Sequence, residues 1–322
     1  MSRPLCQAVG VRARGVSRRL QRAICDFGAD EAFAAAAAKL HEHYGLDVAT
    51  ERVRRVCLQH ARRIAAQPCS PTRTLAAEGA RAIVTAADGT MIPMVDCSDA
   101  SPDADRRKHR KTAWQEMRLV AAQAQGEVRT CYGAALGTPE QIGTLWSAVV
   151  GQAGWAPDTF IHGIGDGAEW IHQQFCQHFA AHGRYTLDLF HVCDYLVAAA
   201  PDPTAAAGFV ARQREALKSN RHDQVISELA TRLEPAHLPD EQAPVRCAHR
   251  YLRKRIEQLD YQAALARDLP IGSGLIESGH RHVLQARLKK PGAWWAPPNA
   301  HAIAQMRVLR ANRLWDSYWA QN

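Results

Sequence analysis

The chain reads as an α/β protein: a five-stranded mixed sheet with an all-helical insertion, preceded by a block of helices. Three observations lead there. Residues up to about 66 show only helical periodicity. Between 82 and 189 short apolar runs alternate with helical stretches, as in a sheet covered by helices. From about 203 to 267 the strand pattern stops again. At 322 residues and 47% apolar composition the chain can bury a sizeable core in about two domains, expected at 1–76 and 77–322.

Composition narrows the function. No apolar run approaches the roughly 18 residues of a spanning helix, and the N-terminus has no continuous apolar stretch of a secretory signal. It is Arg-rich and lacks acid before Asp26, which resembles a transit peptide, but Ser is scarce. The nine cysteines are scattered without a C-x-x-C, which argues against a zinc ribbon or a disulfide framework and fits a reducing cytosol. The net charge is +8, and residues 1–75 hold 13 Lys and Arg against 6 Asp and Glu. A concentrated basic region is the footprint of a polyanion partner, although a solubilising face has the same composition.

The first helix is expected over 11–27, where Arg12, Arg14, Arg18, Arg19 and Arg22 surround a stripe of Val16, Leu20, Ile24 and Phe27. Asp30 can cap a second, ending near His43. After the Gly45 break a third spans about 50–66, with Val53, Val56, Cys57, His60 and Ile64 inward and Arg52, Arg54, Arg55, Arg62 and Arg63 outward. Helix, short Gly-containing turn and basic helix make a helix-turn-helix pattern, which an ordinary helical hairpin shares. Residues 68–77, with two prolines, read as a linker.

Short strands are expected at 82–87 and 91–95 around Asp88-Gly89, a pair that is also a strong hairpin-turn signal. Residues 96–111 read as an exposed basic loop, followed by strands at 117–124 and 130–135 and a helix at 139–151. Residues 160–165 form another strand, running into Asp166-Gly167 and a helix at 168–181. An acid at the carboxyl end of a strand is where open α/β sheets place their chemistry, and a helix-capping Asp sits there too. A further strand at 186–189 carries Asp188, with His191 three residues on; such a His can be structural or catalytic. The helical insertion follows.

At 270–290, Pro270, Gly272 and Gly274 make a loop that becomes helical. Glu277 stands in the first turn, where the helix dipole tolerates an anion. Arg281 is at i+4 on the same face, a spacing that also suits a plain surface ion pair. Lys289 and Lys290 follow, then Trp294 and Trp295, which can stack on unpaired bases or cap a core. A last helix is expected over 301–315 with Arg307, Arg310 and Arg313.

The order is therefore Asp88 after a first strand, Asp166 after a later one, a helical insert, then Glu277 on a helix. That order matches an RNase H-like sheet with three acidic ligands. The segments A-D-G-T-M-I-P-M, G-D-G-A-E-W-I, L-D-L-F-H, I-G-S-G-L-I-E-S-G-H-R and R-V-L-R-A-N-R-L-W-D-S-Y-W closely resemble the ISKra-type insertion-sequence DDE transposases, relatives of the Mutator-like group. The resemblance covers about residues 15–320.

The resemblance implies that Asp88, Asp166 and Glu277 form the catalytic, metal-binding triad. It likens Asp188-x-x-His191 to an accessory motif and the N-terminal helices to an end-binding segment. It further implies two Mg²⁺ ions, with Mn²⁺ as a substitute, and partners in the element's terminal inverted repeats and in target DNA. The expected assembly is a homo-oligomer on DNA, in the cytoplasm and nucleoid-associated. Arg281 could hold a scissile phosphate or brace Glu277. Arg52, Arg54, Arg55, Arg62, Arg63, Lys289 and Lys290 are the candidate DNA contacts. Two other readings are a catalytically inactive or truncated copy that only binds DNA, and an RNase H-like nuclease.

Overall fold

The computed structural model describes residues 15–67, 78–97 and 109–321. Arg12 and Arg14, the linker at 68–77 and most of the basic loop at 96–111 lie outside them. Helices α1 (Arg18–Asp30), α2 (Phe33–Tyr44) and α3 (Thr50–Ala66) come first. Strands β1 (Ala82–Asp96), β2 (Lys111–Ala124) and β3 (Thr130–Ala135) follow, then α4 (Pro139–Gln152), β4 (Phe160–Gly165), α5 (Glu169–Phe179) and β5 (Gly183–Leu187). The helical block contains α6 (Leu189–Ala198), α7 (Ala206–Lys218), α8 (His222–Ala230), α9 (Pro244–Lys254) and α10 (Tyr261–Ala266).

The sheet has five strands in the order β3-β2-β1-β4-β5. β2 is antiparallel to both its neighbours, whereas β1, β4 and β5 are mutually parallel. Alternation along β2 sorts its side chains between two cores, because successive strand residues face opposite ways. Met117, Leu119 and Ala121 meet α1–α3 and the C-terminal helices, while Val120 and Ala122 meet α4 and α5. The insertion has its own core, which reaches back to Leu187 and α6. The helical block thus begins at Leu189, earlier than the expected 203.

One expectation is corrected at Asp88-Gly89. A single strand runs through both residues, with Asp88 paired to Leu119 and Gly89 to Arg118. The hairpin turn needs a positive φ at glycine, and Gly89 does not have one. β2 also starts at Lys111, long enough to pair with all of β1 and hold it straight.

The N-terminal helices do not pack only on one another. Val53, Cys57 and Ala61 of α3 share a core with Leu119, Ile276 and Ile303. At the C-terminal end of α1, where carbonyls lack helical partners, arginines from elsewhere donate: Arg287 to Gly28, Arg307 to Ala29 and Arg310 to Asp26. Among the described residues, no helix is long and apolar enough to cross a membrane.

Candidate active site

The site begins where β1 and β4 part. Their parallel pairing ends at Ala86 with Ile164; Asp88 follows two residues on within β1, and Asp166 two residues on, just past the end of β4. β1 continues beside β2, but β4 turns away through Gly167, whose φ of 80° is left-handed. A Cβ there would also lie 2.5 Å from Nε of Arg255. The Gly89 amide donates to Oδ1 of Asp88 at 2.7 Å, and the Ala168 amide to Oδ1 of Asp166 at 2.8 Å.

The third acid arrives on a helix. α11 (Gly274–Gly279) continues through a π-helical segment, His280–Gln285, into α12 (Ala286–Leu288). Gly279 lets it lie close on the sheet: a Cβ would come within 2.8 Å of Tyr132 and 2.9 Å of Leu119. Glu277 is exposed on the first turn, and its Oε1 accepts from the Ser273 hydroxyl at 2.9 Å.

The same Ser273 hydroxyl also lies within hydrogen-bond reach of Oδ2 of Asp188, so its single proton serves one of the two carboxylates at a time. Asp188 is 3% exposed and caps α6, its Oδ1 accepting from the Phe190 amide at 2.7 Å. The preceding loop is tied across the sheet: Leu189 donates to Ile271, and His162 Nε2 to the Pro270 carbonyl at 2.8 Å. Burial lowers the pKa of His162, so a neutral imidazole is the form that makes this bond. A chain of polar contacts therefore runs from the end of β5 through Ser273 to Glu277.

His280, one turn after Glu277, is 4% exposed. Its Nε2 lies 3.2 Å from Oδ2 of Asp88, yet among the described residues neither ring nitrogen has a hydrogen-bond partner. The insertion touches the site from the other side. Tyr251 donates its hydroxyl to the Asp166 carbonyl, and Arg255 donates to the Gly167 carbonyl at 2.8 and 3.0 Å. Burial pushes the Tyr251 phenol up, keeping it a donor. His191 meets Tyr195 and Tyr251 edge-on, so it belongs to this aromatic support.

Arg52, Arg54, Arg55, Arg62 and Arg63 all lie on the exposed side of α3. Arg54 pairs with Glu51 at 2.6 Å, and Arg62 donates to Asn299 at 2.8 Å. Lys289 is exposed, whereas Lys290 pairs with Glu31 at 3.1 Å. Trp295 caps a core, its Nε1 donating to Leu288. Trp294 is 41% exposed and meets Trp114. Arg281 is exposed, and no hydrogen bond or ion pair joins it to Glu277 among the described residues.

The structure thus places Asp88 and Asp166 each two residues beyond the last β1–β4 pair and links Glu277 to Asp188 through Ser273. Among the described residues, no three or more His, Cys, Asp or Glu side chains stand close enough to hold a metal ion as they are. Sequence reasoning missed Ser273, Tyr251, Arg255 and His280. His280 alone carried a signal, standing at i+3 from Glu277 on the same helix face. No family model and no curated protein sequence matches the chain.

Proposed function

We propose that the chain is a DDE-type DNA transposase of an insertion sequence, built on an RNase H-like sheet, that binds element ends and cleaves and joins DNA strands. One observation carries the reading. In a mixed sheet of order β3-β2-β1-β4-β5, an acid on the central strand and a second acid just past the end of β4 each stand two residues beyond the last β1–β4 pair. A third acid lies one turn along the helix from His280, which touches the first.

The donor chemistry fits Mg²⁺, which prefers hard oxygens and keeps several waters. Hydrogen bonds orient one oxygen of each acid, Oδ1 of Asp88, Oδ1 of Asp166 and Oε1 of Glu277, and the second oxygens of these three would hold the ions. Two bound cations would supply an activated oxygen nucleophile and a stabilised leaving oxygen in phosphodiester cleavage. The chain's own part is positioning. Ser273 aims Glu277, the Gly167 turn aims Asp166, and β2 holds Asp88 in a straight strand. The exposed arginines of α3, the second helix of a helix-turn-helix-like unit, neutralise phosphates of the element ends. Arg281 stands ready for a phosphate near Glu277.

The test is cleavage and joining of inverted-repeat DNA with Mg²⁺ or Mn²⁺. Asp88→Ala, Asp166→Ala and Glu277→Ala each abolish cleavage and leave DNA binding in place. A Glu277→Ala protein that joins strands at the wild-type rate would overturn the assignment. End binding with no divalent-dependent nicking by the wild-type chain would make it a DNA-binding protein only.

A further inference from the structure

We infer that His280 is a nitrogen ligand of the cation held by Asp88, which tilts the site toward Mn²⁺ over Mg²⁺. The inference rests on Asp88 being a metal ligand and assigns to that ion a donor that is not an acid.

The chain supplies its own controls for a buried histidine. His60 and His162, 3% and 1% exposed, are both paired: His60 with Tyr318 and Gln21 through its two nitrogens, His162 with the Pro270 carbonyl. Buried polar groups are nearly always satisfied in this way, because an unmade hydrogen bond there costs the full desolvation of the group. Among the described residues His280 is as deeply buried and has neither nitrogen paired, while the less buried His222 and His301 each have an unpaired Nδ1.

The geometry at Nε2 points to a shared ion. Nε2 of His280 and Oδ2 of Asp88 are 3.2 Å apart without alignment for a hydrogen bond. Two donors about 2.1 Å from one ion are separated by about 3.0 Å at a right angle and about 3.4 Å at a tetrahedral angle. The observed spacing falls between these values. A cation held by both Nε2 and Oδ2 would accommodate this spacing. Oδ1 of Asp88 is already held by the Gly89 amide, which leaves Oδ2 on the side of His280. His280 also opens the π-helical segment, and such segments occur frequently at functional sites.

An imidazole changes the selectivity. Carboxylates and waters suit Mg²⁺ and Mn²⁺ alike, whereas nitrogen donors favour the transition ion. The experiment is pulsed electron paramagnetic resonance of Mn²⁺ titrated into the full chain, with natural-abundance and ¹⁵N-histidine protein. The expected spectrum shows a nitrogen coupling that changes isotope with the label and vanishes in both His280→Gln and Asp88→Asn. The His280→Gln protein also binds Mn²⁺ about 10-fold more weakly, with a smaller change for Mg²⁺.

Mn²⁺ that is lost in Asp88→Asn but shows no nitrogen coupling in the wild type would overturn the role of His280 and leave the acids as ligands. A coupling that persists in His280→Gln would also overturn it. Equal Mn²⁺ binding by wild type and Asp88→Asn would sink the metal site itself. Should His280→Gln fail to fold, the labelled wild type and Asp88→Asn still decide.

Discussion

Ser273 presents one hydroxyl to two acids: Oε1 of Glu277 lies 2.9 Å away, and the buried carboxylate of Asp188 lies on its other side. Ser273→Ala removes the hydroxyl whose single proton Glu277 and Oδ2 of Asp188 share. Leaving a buried acceptor unpaired costs about 1–3 kcal/mol. The expected protein is less stable by that amount in urea unfolding, cleaves DNA about 10-fold more slowly and binds it normally. Ser273→Thr, which keeps the hydroxyl, restores most of both. Wild-type stability and rate in Ser273→Ala would remove Ser273 from the site.

Arg287 tests how the N-terminal helices are tied to the rest. It is 2% exposed, lies 4.8 Å from the Phe33 ring and 4.7 Å from the Trp295 ring, and donates to the Gly28 carbonyl. Burial draws its pKa down to about 10, so it remains charged at neutral pH. A lysine keeps the charge but cannot bring a planar guanidinium against both rings while donating to Gly28. Arg287→Lys is therefore expected to lose about 1–2 kcal/mol. Thermal unfolding measures this, and an unchanged midpoint would contradict the sandwich.

His60 gives the fold a pH dependence. Gln21 donates its amide to the Val16 carbonyl, so its Oε1 accepts from Nε2–H of His60, and Nδ1 accepts from the Tyr318 hydroxyl. Burial, and then the Arg63 charge, hold its pKa down to about 4 against an ordinary 6.5. The unfolded chain then takes up a proton first as the pH falls, so stability present above about 6.5 is lost progressively toward about 4. In His60→Gln that component of the slope is absent. Unfolding curves for both proteins between pH 4 and 7 check it, and parallel curves would contradict it.

On α3, Arg52 and Arg55 are exposed, whereas Arg54 is paired with Glu51 and Arg62 with Asn299. Replacing Arg52 and Arg55 with Ala is expected to lower the slope of log affinity for element-end DNA against log salt by about 2, because each phosphate contact releases close to one counterion. Arg62→Ala has a smaller effect. Fluorescence anisotropy across a salt series measures the slope, and an unchanged slope would take α3 off the DNA.

Much of the architecture was legible because it rests on local periodicity. The inward stripe of α3 at Val53, Val56, Cys57, His60 and Ile64 is buried as its spacing predicts, and β3 and β4 fall at the expected residues. Asp88-Gly89 misled because turn chemistry is a local preference. Pairing along the whole of β2 overrides it with many hydrogen bonds. The roles of Arg307 and Arg310 were not legible, because the carbonyls they bond lie on α1, far away in sequence.

From the sequence alone came the periodicities, the concentrated N-terminal charge and the order of three acids along the chain. Only the tertiary structure decided which groups meet: Asp88 and Asp166 beyond the last β1–β4 pair, Ser273 between Asp188 and Glu277, His280 against Asp88. Periodicity is carried by residues within a turn or two of each other, so it can be read in one dimension. The Ser273–Asp188 and His280–Asp88 contacts, 85 and 192 positions apart, depend on strand order and on how closely Gly279 lets a helix approach the sheet, and no short stretch of sequence contains either.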